Sequence, residues 1–530
     1  MPAAFSSAYL AGDVGAQAFL PGFRDRAARA AVAERAAGRA VAAPLLEALR
    51  TQNRAYAPSP ARERHLDALA TAGTVVVVTG QQVGLFLGPL YTVYKAAAAV
   101  ATARALERET GRRCVPLFWL QTEDHDLAEI DHCHVPRPGA PPLTLRLEAA
   151  DRDARVSVAH RVIGEEIHAP LGALEEALGA EPHAAFLGLL RTWYRPGHTL
   201  AGAFAGVLAA LFADEGLVLL DPRQRAVAAL AAPLYHAALA RHEAIDAALG
   251  ARGRALEAAG FAEQVPVRPG ASLVFFHRDD PAGPRFRLER RDGAWALPGG
   301  PALADDELVA LAARDPLRFS TSALLRPLLQ DTLLPTAAYV GGPGELNYLA
   351  QLAPLYELLQ VPQPLAVPRA RFRLLEDHTR ALLAKLGLAA PADAERPRDE
   401  LLRRTADAGG ADPQAAAAVA GRARAALDAH LGELERLDPS LRDPVAKTRV
   451  ALERRLARLV TQYGRALAER DRVAAGRVDR LQGSLCPGGT AQERFYSLPY
   501  FACRHGARPL VERILGAVVP FDAAVRDLDL

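Results

Sequence analysis

Four consecutive residues combine three carboxylates with an imidazole. They are Glu123, Asp124, His125 and Asp126. Because like charges this close shift one another's pKa values, proton exchange or cation binding is feasible near neutral pH, and we predict a catalytic role. The cluster follows an apolar run that contains Phe118-Trp119, which indicates a partly desolvated position at a strand end. A helix cap followed by a solvated acidic turn is the alternative.

A second segment combines glycines, which let a backbone approach a ligand, with two amide side chains. Its candidate binding residues are Thr79, Gly80, Gln81, Gln82 and Gly84. The helix predicted after it would offer an N-terminus that favours an anion. The segment is neither a G-x-G-x-x-G nor a Walker A motif, so on its glycines alone a structural turn has equal weight. The adjacent amides favour a ligand, because buried amides need partners.

A glycine-rich turn and two arginines complete the candidate set from the later part of the chain. They are Arg326, Gly342, Gly344, Glu345, Asn347 and Arg369. The turn would bring the backbone close to a substrate, with Glu345 or Asn347 as a hydrogen-bonding group, and a tight structural turn is an equal alternative. Arg326 and the hydroxyls of residues 320–322 could position an anionic group. An internal salt bridge explains Arg326 equally well.

Three histidines and a cysteine, one of them within the acidic cluster and the others just after it, raise the question of a metal. They are His125, His132, Cys133 and His134. Their spacing matches no standard structural zinc pattern. On a strand, only His132 and His134 would share a face. We therefore predict no metal site.

The candidate residues follow five predicted strands. The strands are Thr74–Thr79, Cys114–Trp119, Gly216–Asp221, Ala337–Val340 and Pro364–Pro368. A long helix at about residues 90–109 separates the first two, which predicts a βαβ unit with parallel strands and a right-handed crossover. Open α/β sheets bind ligands beyond the carboxyl ends of their strands. The sequence therefore predicts an α/β fold with a parallel-sheet core and one convergent site.

Insertions and a helical arm are predicted around this core. The segments are residues 1–139 (N-terminal helices and the first half of the core), 140–215 (a helical insertion), 216–221 (a core strand), 222–315 (an insertion with a small antiparallel sheet), 316–371 (the second half of the core), 372–482 (a helical arm) and 483–530 (a C-terminal segment returning to the core). The antiparallel sheet is predicted from Val265–Arg268, Leu273–Phe276 and Phe286–Arg290, whose residues alternate.

Leucines at four-and-three spacing indicate that the arm is a coiled-coil helical hairpin. They are Leu427, Leu431 and Leu434, then Leu452, Leu456 and Leu459, followed by Tyr463. Pro439 and Pro444 mark the break between the two helices. A hairpin packed on itself and an arm that forms a homodimer have equal weight, since the two helices of one chain can bury each other's apolar faces.

Composition narrows the class of protein. The chain has 530 residues, half of them hydrophobic, and a net charge of only +2, so no surface dedicated to nucleic acid or membrane is expected. Its N-terminus lacks a secretory pattern and its apolar runs are short. Four cysteines in so long a chain are too sparse for a disulfide framework. We expect a cytoplasmic protein that acts on small polar molecules.

Several longer stretches resemble the family of bacillithiol biosynthesis cysteine-adding enzymes. They are Val78–Lys95, Val115–Trp119, Glu123–Asp126, Arg326-Pro327, Pro335–Tyr348, Val367–Arg369 and Gln492–Arg494. The matches recur in order from about residue 75 to the C-terminus. Linked motifs of this length are far more specific than any single one.

The resemblance implies a Rossmann-like core with inserted connective subdomains and a C-terminal coiled coil linked to dimerisation. The implied reaction joins cysteine to the amino group of glucosaminyl-malate. Because a carboxylate is a poor electrophile, ATP is the expected cofactor, and Mg²⁺ is a candidate. Lys95 or Arg369 would offset negative charge, and the acidic cluster would handle the sugar amine or a magnesium ion. Departures from the family pattern occur at Gln121-Thr122 and Asn347.

Two alternatives to this function stay open. One is a different ATP-dependent ligase or nucleotidyltransferase on the same core, which a substrate profile would separate. The other is a non-catalytic nucleotide-binding scaffold, for which binding of nucleotide without turnover would be the sign.

Overall fold

The computed structural model describes residues 4–137, 139–148, 156–179, 184–408, 414–470 and 472–530. Its strands are β1 (Val75–Gln82), β2 (Cys114–Gln121), β3 (His132–Val135), β4 (Leu143–Arg146), β5 (Val218–Leu220), β6 (Ala271–His277), β7 (Arg285–Arg291), β8 (Ala294–Ala296), β9 (Phe319–Thr321), β10 (Thr336–Gly341), β11 (Leu365–Pro368), β12 (Arg371–Leu375) and β13 (Val525–Asp529). The chain divides into two compact units, which are described separately. The first comprises the residues up to Val135, Leu143–Phe372 and Tyr496–Arg526, and the second comprises Pro136–Pro142, Arg373–Phe495 and Asp527–Leu530.

The α-helices, in chain order, are α1 (Phe5–Ala11), α2 (Val14–Gln17), α3 (Arg26–Ala37), α4 (Ala43–Arg54), α5 (Pro60–Ala68), α6 (Tyr91–Thr110), α7 (His168–Leu178), α8 (Ala184–Trp193), α9 (Leu200–Leu211), α10 (Arg225–Ala228), α11 (Ala232–Ala240), α12 (His242–Ala258), α13 (Asp305–Arg314), α14 (Arg326–Leu333), α15 (Pro343–Leu349), α16 (Ala353–Leu358), α17 (Asp377–Lys385), α18 (Arg398–Ala408), α19 (Gln414–Leu437), α20 (Arg442–Arg470), α21 (Arg472–Leu485), α22 (Gln492–Phe495), α23 (Leu498–His505) and α24 (Ala507–Ala517). None of the helices, over the part of the chain that the structure describes, is long and apolar enough to cross a membrane.

The core of the first unit is a five-stranded parallel sheet in the order β11-β10-β1-β2-β5. Valines 75–78 are fully buried in its central strand, as expected for a β-branched run covered on both faces. Helix α6 joins β1 to β2 and packs against both strands. The predicted α/β parallel-sheet core is confirmed, and the carboxyl ends of its strands meet at one edge.

The first strand is longer than the sequence predicts. Residues Gly80 to Gln82, expected in a loop, extend β1 and pair with residues 119–121 of β2. Glycine is required at position 80 because a Cβ there would lie 2.8 Å from the carbonyl oxygen of Trp119. The glycine therefore permits close strand pairing and does not form a ligand-binding turn.

A four-stranded antiparallel sheet, ordered β8-β7-β6-β9, lies in the second insertion and extends beyond it into residues 319–321. The predicted strand Val265–Arg268 is wrong, since these residues form no strand. Pro266 and Pro269 lack the backbone donors that a ladder needs, and the amide of Val265 instead donates to Oε1 of Gln351 at 3.0 Å.

The second unit contains the predicted coiled-coil hairpin. Helices α19 and α20 pack together across the short turn Pro439–Leu441, and Arg449 Nε donates to Asp428 Oδ1 at 2.8 Å between them. Part of the leucine repeat lies in this seam, but Leu434 and Leu459 keep 44% and 59% of their surface exposed. The two helices therefore bury only part of each other's apolar surface.

All four cysteines of the chain are buried and unpaired with one another. Burial raises the thiol pKa to about 12 for Cys114, Cys133 and Cys503. It raises the pKa of Cys486 to about 11. Each thiol is therefore protonated at neutral pH.

Candidate active site

Lys95 is the centre of a buried polar cluster at the carboxyl ends of β1 and β10. Its Nζ donates to the carbonyl oxygen of Gly80 at 2.8 Å and to Oε1 of Gln81 at 2.9 Å. The same nitrogen lies 2.5 Å from Oε2 of Glu345. Burial lowers the pKa of Lys95, and the charge of Glu345 opposes that effect. We call Lys95, Glu345, Arg326 and Arg369, together with the tyrosines that contact them, the cationic cluster.

Glu345 holds the start of α15 in place within this cluster. Its Oε2 accepts a hydrogen bond from the amide of Gly342 at 2.8 Å, and its Oε1 accepts one from the hydroxyl of Tyr339. Burial would raise the pKa of Glu345, but Lys95 and these hydrogen bonds hold it below its usual range. Glu345 is therefore ionised, and its negative charge balances the positive charge of Lys95.

Two arginines add positive charge to the cationic cluster. Arg326 donates to the hydroxyl of Tyr348 at 3.2 Å, and its guanidinium lies 5.2 Å from the ring centroid of Tyr339. The guanidinium of Arg369 lies 5.2 Å from the ring centroid of Tyr91. With Lys95, the cluster holds three cations against the single carboxylate that contacts Lys95, so the arrangement suits an anionic ligand.

The glycine-rich turn is the end of β10 followed by the first turn of α15. Its glycines differ in how much space the surrounding protein would leave for a side chain. A Cβ on Gly342 would lie 3.3 Å from Nε of Arg369, so this position keeps room beside the arginine. A Cβ on Gly344 would meet nothing within 4 Å. No protein atom therefore requires glycine at position 344, and the approach of a substrate to this residue stays a prediction.

Asn347 does not join the cationic cluster. Its Oδ1 accepts a hydrogen bond from the amide of Ser6 at 2.7 Å, and its Nδ2 donates to Oε1 of Gln264 at 2.9 Å. The amide of Asn347 links the N-terminal helix and the second insertion, and its role in binding substrate stays a prediction.

The remaining residues of the glutamine segment have structural partners. Thr79 Oγ1 donates to the carbonyl oxygen of Val340 at 2.8 Å, and Gln82 Nε2 donates to Oε2 of Glu129 at 2.5 Å. Gln81 and Gln82 point to opposite faces of β1, as successive strand residues do. A Cβ on Gly84 would lie 3.1 Å from the Cα of Gly88. Only Gln81 and Gly80 therefore contact the cationic cluster.

Three backbone amides at the start of α6 have partners within the protein. The amide of Leu90 donates to the carbonyl oxygen of Tyr496 at 2.7 Å, and that of Thr92 donates to Pro89 at 2.9 Å. The amide of Val93 donates to Leu90 at 3.1 Å. These donors are occupied within the protein, so the cationic side chains are the better anion ligands.

The acidic loop, residues 123–126, follows β2 as predicted and divides into different roles. Both carboxylate oxygens of Glu123 accept hydrogen bonds from Thr321, one from its amide at 3.0 Å and one from its hydroxyl. Asp126 accepts from the amide of Ala128 at 3.0 Å and caps the short 3-10 helix that follows. Glu123 and Asp126 therefore shape the loop.

Asp124 and His125 contact an arginine that no sequence pattern predicts. Arg285 of β7 donates through Nη2 to Asp124 Oδ1 at 2.6 Å and through Nε to His125 Nδ1 at 3.3 Å. Burial would raise the pKa of Asp124, but Arg285 and the backbone amide of His125 together leave the pKa below its usual range. The carboxylate is therefore ionised next to the imidazole.

The hydroxyls expected to act with Arg326 lie elsewhere. Thr321 binds Glu123, and Ser320 Oγ lies 3.4 Å from Nε2 of His277. Residues 319–321 form β9, whose pairing with β6 directs them into the antiparallel sheet. The third hydroxyl, Ser322 Oγ, accepts from the amide of Leu325 at 3.3 Å. All three hydroxyls therefore have partners other than Arg326.

His132 and His134 share a face of β3, as predicted, and their ring centroids lie 5.3 Å apart. His132 Nδ1 contacts Asp131 Oδ1 at 2.8 Å, and Arg146 also donates to that carboxylate. Among the described residues, no group of three or more histidine, cysteine, aspartate or glutamate side chains is arranged to hold a metal ion.

Sequence reasoning missed the residues that complete the two sites. They are Tyr91, Tyr339 and Tyr348 in the cationic cluster and Arg285 and Thr321 at the acidic loop. Tyr91 could have been found, because it lies one helical turn before Lys95. Arg285 gives no such signal.

Comparison with known proteins agrees with this architecture. The chain matches the bacillithiol biosynthesis BshC N-terminal Rossmann-like domain over residues 4–370 and the BshC C-terminal coiled-coil domain over residues 372–526. A protein of Koribacter versatilis (strain Ellin345) named "Putative cysteine ligase BshC" is 35% identical over 479 residues, covering 89% of this chain and 86% of the relative. A protein of Salinibacter ruber (strain DSM 13855 / M31) with the same name is 33% identical over 481 residues, covering 90% and 86%. Since the two domain matches together span most of the sequence, the chain belongs to the BshC family of bacillithiol biosynthesis proteins.

Proposed function

We propose that the protein is an ATP-dependent ligase that joins the carboxyl group of cysteine to the amino group of glucosaminyl-malate, which yields bacillithiol. Family membership supports the reaction class, and relatives carry the name cysteine ligase. The observation that carries the proposal is the buried Lys95–Glu345 pair, which joins the ends of β1 and β10 and lies near two further cations, Arg326 and Arg369. We also propose a cytoplasmic location, where both substrates would be met.

The cationic cluster fits the phosphate groups of ATP. Arg326 and Arg369 supply donors for a polyanion, and Lys95, whose three protons already have partners, adds positive charge beside them. The room beside Arg369 at Gly342 lets a ligand oxygen approach. When bound, ATP supplies the activation that a free carboxylate lacks. The three side chains then orient the anionic groups and balance their charge.

Magnesium fits less well as an ion held by the protein alone. Asp124 is engaged by Arg285, Glu345 by Lys95, and no cluster of three ligating side chains occurs among the described residues. We therefore assign no step to a protein-bound magnesium ion.

The acidic loop is proposed to receive the sugar amine. Asp124, held ionised by Arg285, provides a negative charge beside His125 that favours an ammonium group before reaction. It lies after β2, whereas the cationic cluster lies after β1 and β10, so the two substrates would approach from neighbouring strands.

We further propose that the helical arm forms a homodimer. The exposed leucines of α19 and α20, including Leu434 and Leu459, leave apolar surface that the hairpin does not cover. A second copy of the arm would bury it.

The proposal is tested by incubating the purified protein with ATP, magnesium, cysteine and glucosaminyl-malate and following the thiol product by mass spectrometry. We expect product formation with consumption of ATP, and loss of product when either substrate is omitted. Binding of ATP without product from these substrates would contradict the proposed ligase.

A further inference from the structure

A cavity of about 210 Å³ lies at the amino ends of β2 and β5, at the edge of the sheet opposite to the cationic cluster. Its walls come from α5, which contributes Arg64 and His65, from the C-terminal half of α6, and from the segment that precedes β5. The volume is below the roughly 300–1,000 Å³ of sites for drug-sized ligands, so the cavity suits a small metabolite. The proposed ligase reaction uses none of these residues.

Contacts within the protein hold the walls of this cavity in place. Arg62 of α5 is buried and donates through Nε to the carbonyl oxygen of Leu217 at 2.9 Å and through Nη2 to that of Ala209 at 2.7 Å. Gly216 has a φ of +66°, and a Cβ there would lie 2.7 Å from Nδ1 of His65. Helix α5 is therefore fixed against the segment before β5, and the cavity is preformed.

Two arginines on the cavity wall have no partner within the protein. They are Arg64 of α5 and Arg104 of α6. Among the described residues, neither guanidinium takes part in a hydrogen bond or an ion pair. Each presents a planar set of N–H donors that matches the two oxygens of a carboxylate. The pair therefore favours a ligand that carries a carboxylate group.

His65 supplies an acceptor beside the two arginines. Its Nδ1 lies 2.7 Å from the carbonyl oxygen of Gly216, which can only accept, so Nδ1 carries the proton. Burial lowers the pKa of His65, against the opposing effects of this hydrogen bond and of Glu107. The charges of Arg64 and Arg104 lower the pKa further, so the ring is neutral at pH 7. Nε2 then keeps a lone pair, which has no partner in the described part of the chain.

Three carboxylates also line the cavity, and each contacts another group. Glu107 Oε2 accepts from the amide of Cys114 at 3.3 Å. Arg508 donates through Nη1 to Glu215 Oε2 at 3.0 Å, and its Nη2 lies 3.3 Å from Asp214 Oδ2. Because one arginine serves two carboxylates, negative charge remains. The cavity therefore presents both signs of charge, with unpaired donors and an unpaired acceptor.

We propose that this cavity binds a zwitterionic α-amino acid with a small aliphatic side chain, at a site separate from the cationic cluster. Arg64 and Arg104 bind the carboxylate of the ligand, and its ammonium group donates to Nε2 of His65 near the carboxylate of Glu107. The aliphatic side chain packs against the apolar part of the wall, which includes Val100. A dianion such as inorganic phosphate fits less well, because the carboxylates of the wall would repel it.

The charges that the site requires are tested with L-valine and two of its analogues. Isovalerate lacks the amino group of L-valine, and isobutylamine lacks its carboxylate. Binding to the full-length protein is measured by isothermal titration calorimetry and by saturation-transfer NMR. We expect L-valine to bind at least about 10-fold more tightly than either analogue, since each analogue loses one set of charge-assisted hydrogen bonds. Absence of L-valine binding, or equal binding of L-valine and isovalerate, would overturn the proposal.

Substitutions in the wall determine where L-valine binds. We expect Arg104→Gln and Arg64→Gln each to weaken its binding by about 10-fold, because a charged donor pair is lost. The matched control is Arg108→Gln, since Arg108 is exposed one turn further along α6 and lies outside the cavity wall. Unchanged binding in both cavity variants would place the amino acid elsewhere and overturn the proposal. Binding is measured without turnover, so these results hold whether or not the protein proves to be a ligase.

Discussion

The ammonium of Lys95 lies 2.5 Å from Oε2 of Glu345, with 4% and 15% of the two side chains exposed. The pair joins α6, which follows β1, to α15, which follows β10, and so closes the gap between two strand ends that are far apart in sequence. Removal of one charge would leave the other buried and unpaired.

We therefore predict that Lys95→Met abolishes product formation and lowers the free energy of unfolding by about 3–5 kcal/mol, because the carboxylate of Glu345 loses its partner. The double variant Lys95→Met with Glu345→Gln should regain much of the stability but none of the activity. Thermal denaturation and the ligase assay measure the two effects. Lys385→Met, at an exposed helical position, is the charge-matched control. A stable, active Lys95→Met protein would contradict the role given to the pair.

The two glycines of the α15 turn should respond in opposite ways to alanine. Gly342→Ala places a methyl group 3.3 Å from Arg369 Nε, so we expect displacement of the arginine and a raised KM for ATP. Gly344→Ala meets no neighbour and should raise stability by about 0.5–1 kcal/mol through reduced freedom of the unfolded chain. Steady-state kinetics and thermal denaturation compare them. Equal kinetic effects would show that Arg369 does not bind ATP.

The free energy of unfolding should fall as the pH rises from about 4 to about 6, because of Asp331. Burial raises the pKa of this carboxyl to about 6, and it accepts hydrogen bonds from Tyr356 and Gln330. An acid whose pKa is higher in the folded state binds more protons there than when unfolded, so its contribution is lost as the pH rises through that value.

We expect Asp331→Asn to be more stable relative to the wild type at pH 7 than at pH 4, by up to about 3 kcal/mol. Thermal denaturation at the two pH values gives this difference. The control Asp377→Asn, at an exposed position, should show the same small effect at both. A difference that does not depend on pH would argue that Asp331 titrates normally.

The helical arm should determine the oligomeric state. We expect the wild type to be a dimer by light scattering and the variant with both Leu434→Glu and Leu459→Glu to be a monomer, because charge would replace exposed apolar surface. Val14→Glu changes an equally apolar residue, 83% exposed, outside the arm and should leave the dimer intact. A monomeric wild type would contradict the proposal.

The sequence predicted the strands of the core well because each is a continuous apolar run that only a covered sheet explains. The predicted end of β1 was too early because Gly80, Gln81 and Gln82 are residue types common in loops. In the structure their backbone groups pair with β2. When the neighbouring strand is unknown, polar residues after an apolar run fit a ligand-binding segment or a loop equally well.

The candidate site was predicted where residues follow strands and was missed where distant elements converge. Glu345 and Arg369 were found because each closely follows a strand in the sequence, whereas Lys95 was named only through the resemblance to the family. Arg285 reaches the acidic loop only because its strand pairs with β6 in the register that sets it opposite His277. No local pattern encodes that register, and a shift of one residue would turn Arg285 to the other face.

The burial of all four thiols has a consequence for the reaction that we propose, in which cysteine is a substrate. Thiol–disulfide exchange needs an accessible thiolate, and these sulfur atoms are both covered and protonated at neutral pH. Oxidised cysteine or oxidised product arriving at the protein would find no partner with which to form a mixed disulfide. We therefore expect the protein to keep its activity in the presence of disulfides.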